Sequence, residues 1–381
     1  MPGALFPLLT NTTRMTETIL SDTIDLAQAH RLLLEWYERS GRDLPWRNIN
    51  DPYAVLVSEM MLQQTQVDRV LPKYREFLGR FPTLAALAEA PTGDVIRAWS
   101  PLGYNMRAVR LQSIARQVVA EYGGQIPLQV EELYKLKGVG RYTAGAIACF
   151  AHRQQVATVD TNIRRVLYRV FVGIEQPDAP VREEQSWVLA EKVLPPGEAY
   201  RWNQALMDLG ATVCTATTPA CERCPMQPVC RAYQELGQYT LFPSGEGLRL
   251  LLQQRKAVSA VQKRAAGTAE IGAAGQPPTS GVLGRVAEAP ATYKTQPFTS
   301  TNRYFRGRVV DALRALGPGE YIALADLGPQ VKAGFAPADL PWLVRLVQGL
   351  ARDGLIVLHP ATAAGEDGDE PGQEAMQVSL P

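Results

Sequence analysis

Four of the five cysteines of this 381-residue chain stand close together, at Cys214, Cys221, Cys224 and Cys230, with six, two and five residues between successive thiols. Thiols at that spacing can share one metal centre, and a loop closed around a metal takes its local fold from it. Two disulfides are disfavoured, because residues Met1 to Thr10 show no basic region or cleavage site, and thiols in a reducing compartment stay reduced. Zinc sites usually pair C-x2-4-C knuckles or add His; here only Cys221 and Cys224 form a knuckle, and the nearest His, His152, lies far upstream. A four-Cys [4Fe-4S] cubane tolerates the uneven spacing better, with zinc as the competing occupant. Cys149, in the apolar run Ala146 to Phe150, reads as a small buried hydrophobe.

The length exceeds what one core usually organises, so more than one domain is expected. Helical periodicity dominates from Asp25 to Tyr233, and Val156 to Val159 is the one convincing extended stretch, which makes the chain mainly α. The expected division is a flexible N-terminal segment 1–24, a helical domain 25–243, a linker 244–300, a small module 301–361 and an acidic disordered tail 362–381. In the module, Phe305, Val309, Leu313 and Leu316 make one helical stripe, and Leu340, Leu343, Val344, Val347 and Leu350 make another. Leu355 to Leu358 follows as a short strand, giving a winged-helix-like pattern. No apolar run is long enough for a bilayer, so the expectation is a cytoplasmic protein, nucleoid-associated in a bacterium, working as a monomer. With a net charge of only +1, nucleic-acid binding has to come from local patches. One such patch is the linker strip Arg249, Arg255, Lys256, Lys263 and Arg264.

Leu136 to Gly145 places Gly138-Val139-Gly140 between two helical segments. Glycines let the backbone turn sharply and approach a partner, and N–H groups opening the second helix can hold a phosphate. That is how a helix-hairpin-helix grips a DNA backbone without reading sequence, although many helix turns use Gly-x-Gly for packing alone. Two acids sit in apolar surroundings. Glu59 lies between Val55 to Ser58 and Met60 to Leu62; a helix acid normally reaches solvent, but partial burial raises a carboxyl's pKa and keeps it protonated. Asp160 follows the extended stretch and opens a helix, so an N-cap role is expected, with the helix N-terminus holding it ionised. A proton donor and an ionised carboxylate together suit glycosidic cleavage through an oxocarbenium-like state.

Ser58 to Val67, Leu102-Gly103-Tyr104, the Gly138 to Gly140 hairpin, Val159 to Asn162, Asn203 to Gly210 and the four cysteines together resemble the MutY-type adenine DNA glycosylases, of the helix-hairpin-helix superfamily with an iron–sulfur cluster. The likeness runs from about Leu32 to Phe242. It implies a helix-hairpin-helix glycosylase fold that holds a [4Fe-4S] cluster on the four cysteines and acts on double-stranded DNA. The implied reaction is removal of adenine mispaired with 8-oxoguanine or guanine. On that resemblance Glu59 protonates the flipped adenine, Asp160 stabilises the sugar cation, and Tyr142 and Asn162 assist. Gln204 contacts the base, Gln64 and Tyr104 enter the stack beside the lesion, and Gln63, Trp46, Arg47, Gly138 and Gly140 complete the DNA- and base-binding set. Endonuclease III-type relatives carry a lysine where this chain has Tyr142, and a phenol forms no Schiff base, so a monofunctional enzyme is expected. Thymine mismatch glycosylases share the tyrosine and aspartate and give the runner-up activity, with a non-catalytic damage-binding protein behind it.

The chain departs from the family pattern in two places. Asn105 and Met106 follow Tyr104 where the family usually carries a second tyrosine and a small residue. The Nudix-like domain that recognises 8-oxoguanine in the family is not visible after Phe242. Arg303, Arg306, Arg308 and Arg314 of the module either solvate a small docked domain, the more common role, or meet phosphates, and the working expectation is that the module adds duplex affinity without discriminating 8-oxoguanine from guanine.

Overall fold

The computed structural model describes residues 24–174, 179–239, 298–359 and 376–381. The expectations for the N-terminal segment, for the basic linker strip and for the acidic run Glu366 to Glu374 lie outside these residues. Helices α1 (Leu26–Ser40), α2 (Pro52–Leu62), α3 (Val67–Arg80), α4 (Leu84–Glu89), α5 (Thr92–Ala98), α6 (Met106–Tyr122), α7 (Val130–Lys135) and α8 (Arg141–Ala146) come first. They are followed by α9 (Thr161–Leu167), α10 (Ala179–Lys192), α11 (Ala199–Thr212) and α12 (Arg231–Tyr239). Later in the chain come α13 (Asn302–Arg314), β1 (Ile322–Ala323), α14 (Leu324–Val331), α15 (Leu340–Arg352), β2 (Val357–His359) and β3 (Gln377–Ser379).

Two compact units emerge, one drawn from Met1–Asp43 and Arg153–Lys294, the other from Leu44–His152 and Thr295–Pro381. These units cut across the contiguous division expected from composition. The reason lies in packing, which follows side-chain burial rather than chain order.

In the second unit α2 is the central helix. The Asp51 carboxylate caps it by accepting from the Tyr53 and Ala54 N–H groups, and Pro52 occupies the first turn, where its missing N–H costs nothing. Every residue from Tyr53 to Met61 is buried, so this helix is sheathed on all sides rather than amphipathic. The C-terminal module belongs to the same unit. Its helix, strand, two helices and two strands close a small antiparallel sheet in the order β1-β3-β2, the layout expected for a winged-helix-like module. Both anticipated stripes are buried, α13 through Val309 and Leu313, and α15 through Leu340, Leu343, Val344, Val347 and Leu350. The strand lies slightly later than expected, at β2, and the expected disordered tail ends instead in β3, whose Val378 pairs with both Ile322 and Leu358.

The module is not a separate body. Ile96 of α5 sits within its apolar core, and Met106 and Val109 of α6 pack against that core. Arg97 donates through Nη2 to the Leu316 and Gly317 carbonyls at 3.1 and 3.2 Å. Gly93 N–H donates to the Pro381 oxygen at 2.6 Å, and a Cβ at Gly93 would lie 2.5 Å from that oxygen, so only glycine fits.

In the first unit a core of Leu33, Ile163, Val166, Phe171, Trp202, Leu206 and Leu209 joins α1, α9 and α11. Val156 to Val159, the stretch expected to be extended, has no regular secondary structure and joins no sheet among the described residues. The Asn203 side chain holds it, donating to the Val156 carbonyl at 3.0 Å and accepting from the Thr158 N–H at 3.2 Å. Buried Asp208 pairs with Arg42 at 2.7 Å, fastening α11 to the end of α1.

Candidate reaction site and nucleic-acid face

Glu59, on α2, is only 6% exposed, so its carboxyl lies inside the unit where a helix acid normally reaches solvent. Beyond the end of α2 the chain turns through Gln63 and Gln64. Gln63 is half-buried with its Nε2 3.4 Å from Met60 Sδ, whereas Gln64 is exposed in a left-handed conformation (φ 55°) that non-glycine residues seldom adopt. Tyr104 shares that conformation (φ 48°) and is 43% exposed. The two residues expected to enter a base stack are thus among four exposed non-glycine residues on left-handed backbone, with Asn48 and Arg153, a cost of order 1–3 kcal/mol each that must be held by surrounding structure.

One buried side chain supplies that support. Arg107 Nη1 donates to the carbonyls of Met60 (3.1 Å), Met61 (2.8 Å) and Gln63, while Nη2 donates to Thr65 Oγ1 (3.0 Å) and the Gly103 carbonyl (3.2 Å). A guanidinium's planar fork suits such a cluster of carbonyls. Its Cζ also lies 5.4 Å from the ring centroids of both Trp99 and Tyr104. Burial, with the nearby Arg69 charge, pulls the Arg107 pKa down to about 10, which leaves it charged at neutral pH.

The Gly-x-Gly turn lies between α7 and α8 as expected. Gly138 has φ +101°, a backbone angle that favours glycine, and a Cβ there would displace the exposed Arg110 side chain, which it would approach to 2.5 Å. Gly140 caps α8, and half-buried Tyr142 lies in its first turn. Trp46 and Arg47 are buried, Trp46 edge-on to Tyr74 with centroids 5.2 Å apart, so Trp46 serves the core rather than an open surface.

The first unit carries the other expected residues. Asp160 caps α9, its Oδ1 accepting from the Ile163 N–H at 2.6 Å and its Oδ2 from Asn162 Nδ2 at 3.1 Å. Burial pushes its carboxyl above the usual carboxylate range, against the pull of these hydrogen bonds and of the Arg165 charge. Desolvation thus outweighs the helix cap in setting the direction of the shift, opposite to the one expected from the cap alone. From Asn162 the network continues: Arg165 Nη2 donates to Asn162 Oδ1 (2.7 Å) and the Gly210 carbonyl (2.6 Å), and Arg165 Nε donates to the Cys214 carbonyl (2.8 Å). Gln204 is buried on α11.

All five cysteines are free thiols, and Cys149 is fully buried as anticipated. Burial, and then the neighbouring thiols Cys214, Cys230 and Cys221, push the Cys224 thiol up; Cys230 is pushed up to about 12, by burial and by Cys214 and Cys221. A bound cation would favour the thiolate forms that burial disfavours at Cys224 and Cys230. Arg169 adds positive charge, its Nη1 3.4 Å from Cys214 Sγ and bonded to the Thr215 carbonyl at 2.7 Å. Among the described residues no three His, Cys, Asp or Glu side chains surround a position for a single ion. One zinc needs its sulfurs about 2.3 Å from a common point, whereas a cubane places each cysteine on a different iron and spreads the donors. Four cysteine sulfurs are a donor set that a [4Fe-4S] cluster takes. The loop is less dependent on metal than its sequence suggested, because Met226 and Val229 insert into the core of the unit.

Sequence reasoning did not single out Arg107, Arg165 or Arg169. A signal existed for two of them: Arg107 lies one helical turn after Tyr104, and Arg165 one turn after Asn162.

The sequence pattern of the HhH-GPD superfamily base excision DNA repair protein matches residues 57–192. The chain is 41% identical over 286 residues to the adenine DNA glycosylase of Mycobacterium tuberculosis, covering 74% of this chain and 77% of that one. It is 46% identical over 229 residues to the rat adenine DNA glycosylase, covering 58% of this chain and 44% of that one, so it spans less than half the length of that relative. A thermostable thymine-DNA glycosylase of solved structure superposes with a TM-score of 0.51 at 29% identity, covering 59% of this chain and 99% of that one. The helical fold, the Gly-x-Gly hairpin and the capped aspartate define a base excision DNA repair protein of the HhH-GPD superfamily. Within that class, the identity to the mycobacterial enzyme over most of its length shows that the chain belongs to the adenine DNA glycosylase family.

Proposed function

We propose that the chain removes adenine mispaired with 8-oxoguanine or guanine in double-stranded DNA by hydrolysing its N-glycosidic bond. The observation that carries this reading is the buried carboxyl of Glu59 in a largely apolar helix, which leads into the exposed, left-handed Gln64. A buried carboxyl is costly to a fold and is retained where its proton is used. Glu59 donates a proton to the extruded adenine, making it a leaving group. Asp160 supplies the negative charge that stabilises the oxocarbenium-like sugar, held in place by Asn162 and Arg165. Tyr142 and Asn162 assist at the sugar, and Gln204 contacts the base. Gly138 and Gly140 bring the hairpin backbone close to a phosphate, and Gln64 and Tyr104 fill the space left by the flipped base. Because Tyr142 forms no imine, the product is an abasic site in an uncut strand.

Cys214, Cys221, Cys224 and Cys230 hold a [4Fe-4S] cluster in this reading. When bound, the cluster would cross-link its loop, and the Arg169 guanidinium beside Cys214 would offset the negative charge of its thiolates. Metal analysis tests this assignment: about four irons per chain supports it, and one zinc without iron rejects it.

The activity is tested by single-turnover release of adenine opposite 8-oxoguanine, guanine and cytosine, with thymine opposite guanine in a parallel arm. The thymine arm is included because the superposed thymine-DNA glycosylase favours that second reading. Identities of 41–46% to adenine enzymes against 29% to the thymine enzyme support adenine as the base released. Release of thymine but not adenine would reverse the assignment.

A further inference from the structure

Both residues that depart from the family pattern touch the C-terminal module. Asn105 Oδ1 accepts from Arg314 Nη2 at 2.7 Å, and Met106 packs against the module's core. Arg314 also bonds Asp311 and the Ile96 carbonyl, Arg306 pairs with Asp353, and Arg308 donates to the Gln330 carbonyl. Three of the four arginines expected to meet phosphates are therefore engaged within the protein. Arg303 differs: it is exposed, no hydrogen bond holds its guanidinium among the described residues, and its Cζ lies 4.1 Å above the ring centroid of Tyr104.

That distance has a consequence for a ring that enters a base stack. Successive bases lie about 3.4 Å apart along a strand, so a guanidinium 4.1 Å over the ring occupies the layer of the adjoining base. A planar cation stacks there favourably and turns its N–H donors outward, in the plane where a base presents its edge. Guanine offers O6 and N7 as paired acceptors to such a fork, and 8-oxoguanine keeps O6, whereas pyrimidines lack the pair. The tethers through Gly93, Arg97 and Arg314 fix α13 relative to Tyr104, so Arg303 is positioned before DNA arrives.

We infer that Arg303 is a specificity-determining residue: stacked on Tyr104, it meets the acceptor edge of the purine left unpaired opposite the extruded adenine. The module is then part of the lesion-reading face rather than a source of non-specific affinity. The inference rests on the proposed adenine-releasing function and deepens it.

The test is binding of the full chain, R303A and R303K to duplexes carrying a tetrahydrofuran abasic analogue in place of adenine. Opposite it stands guanine, 8-oxoguanine, thymine or a second tetrahydrofuran. R303A is expected to bind the two purine duplexes roughly tenfold more weakly and the other two within about twofold of the unsubstituted chain. R303K is expected to lose nearly as much, since an ammonium keeps the charge but not the planar fork. Equal loss on all four duplexes, with a salt slope lower by about one, would mean a phosphate contact and overturn the inference. Unchanged binding, or a fall in the melting temperature of R303A that marks Arg303 as a docking residue, would also overturn it. Wild-type protein that releases no adenine from any mismatch breaks the functional reading itself, an outcome separate from these.

Discussion

The loops carrying Gln64 and Tyr104 and the loop carrying Asp160 solve opposite problems, each with one arginine. Gln64 and Tyr104 are thrust outward on left-handed backbone, and buried Arg107 holds both loops from behind through their carbonyls. Asp160 is drawn inward on ordinary backbone at a helix cap, and Arg165 secures it through Asn162. Outward display spends backbone strain and needs a rigid pin, whereas inward placement spends solvation and raises the carboxyl's pKa. The first arrangement suits a wedge that must resist the load of a base stack. The second suits a charge that must act on a developing cation without water between them.

If that division of labour is right, the largest effects belong to chemistry and leave display untouched. Glu59→Gln is expected to lower single-turnover adenine release by about 10²–10⁴-fold, the range for removing a general acid, while duplex binding stays within about twofold. Asp160→Asn should lower it by about 10²–10³-fold, the range for losing one preorganised charge partner. A fall of less than about tenfold in the aspartate variant would reduce Asp160 to a helix cap and collapse the comparison.

Removing the pin tests the other side. Arg107→Met strips several buried carbonyls of their donor at once, each worth about 1–3 kcal/mol when left unsatisfied, with water entry offsetting part of the sum. The expected loss is about 2–4 kcal/mol of stability by denaturant unfolding, with weaker binding to every mismatched duplex. Arg107→Lys should recover little, because one ammonium cannot reach both loops in the same plane. If Arg107→Met instead retained stability and affinity, the left-handed conformations at Gln64 and Tyr104 would have to be supported by something else.

Arg165→Gln sits between the two regions in size. It leaves the carboxylate and the cysteines in place but cuts the bonds from Asn162 to the Cys214 carbonyl, so a roughly tenfold fall in adenine release is expected, from one lost charge-assisted contact. Iron content measured on the same preparation shows whether the cysteine loop feels the cut.

Much of the site could be read from the chain itself because it is local. The Gly138 hairpin, the Asp160 cap and the cysteine loop are each set within a few residues, where turn chemistry and spacing leave their mark. What escaped was long-range. Arg107 and Arg165 look like ordinary helix arginines until their carbonyl partners, dozens of residues away, are brought beside them. The module's stripes and strand were legible from periodicity, but its place in the core beside Ile96 was not, since one isoleucine in α5 announces nothing about what will cover it. Asn105 and Met106 stood out as departures from the family, and their reason appears only with Arg314 and the module's core in view. The raised carboxyl of Asp160 was missed because a cap position predicts stabilisation of charge, while burial, which sequence does not give, decides the sign.

That sign yields the smallest expected effect. A carboxyl whose pKa is raised on folding contributes its full share of stability below the ordinary carboxylate range near 4, and loses it as pH rises through the raised value. Folding thus disfavours the ionised form of Asp160, because burial strips its solvation. Asp160→Asn removes that charge while an amide oxygen can still accept from the Ile163 N–H. The inactive variant should be modestly more stable than the parent at pH 7, with the difference shrinking as pH is lowered toward 4, as measured by urea midpoints across that range. A variant less stable than the parent at pH 7 would mean that the bonds from Asn162 and the Arg165 charge outweigh burial, and that inward placement of this carboxylate carries no solvation cost after all.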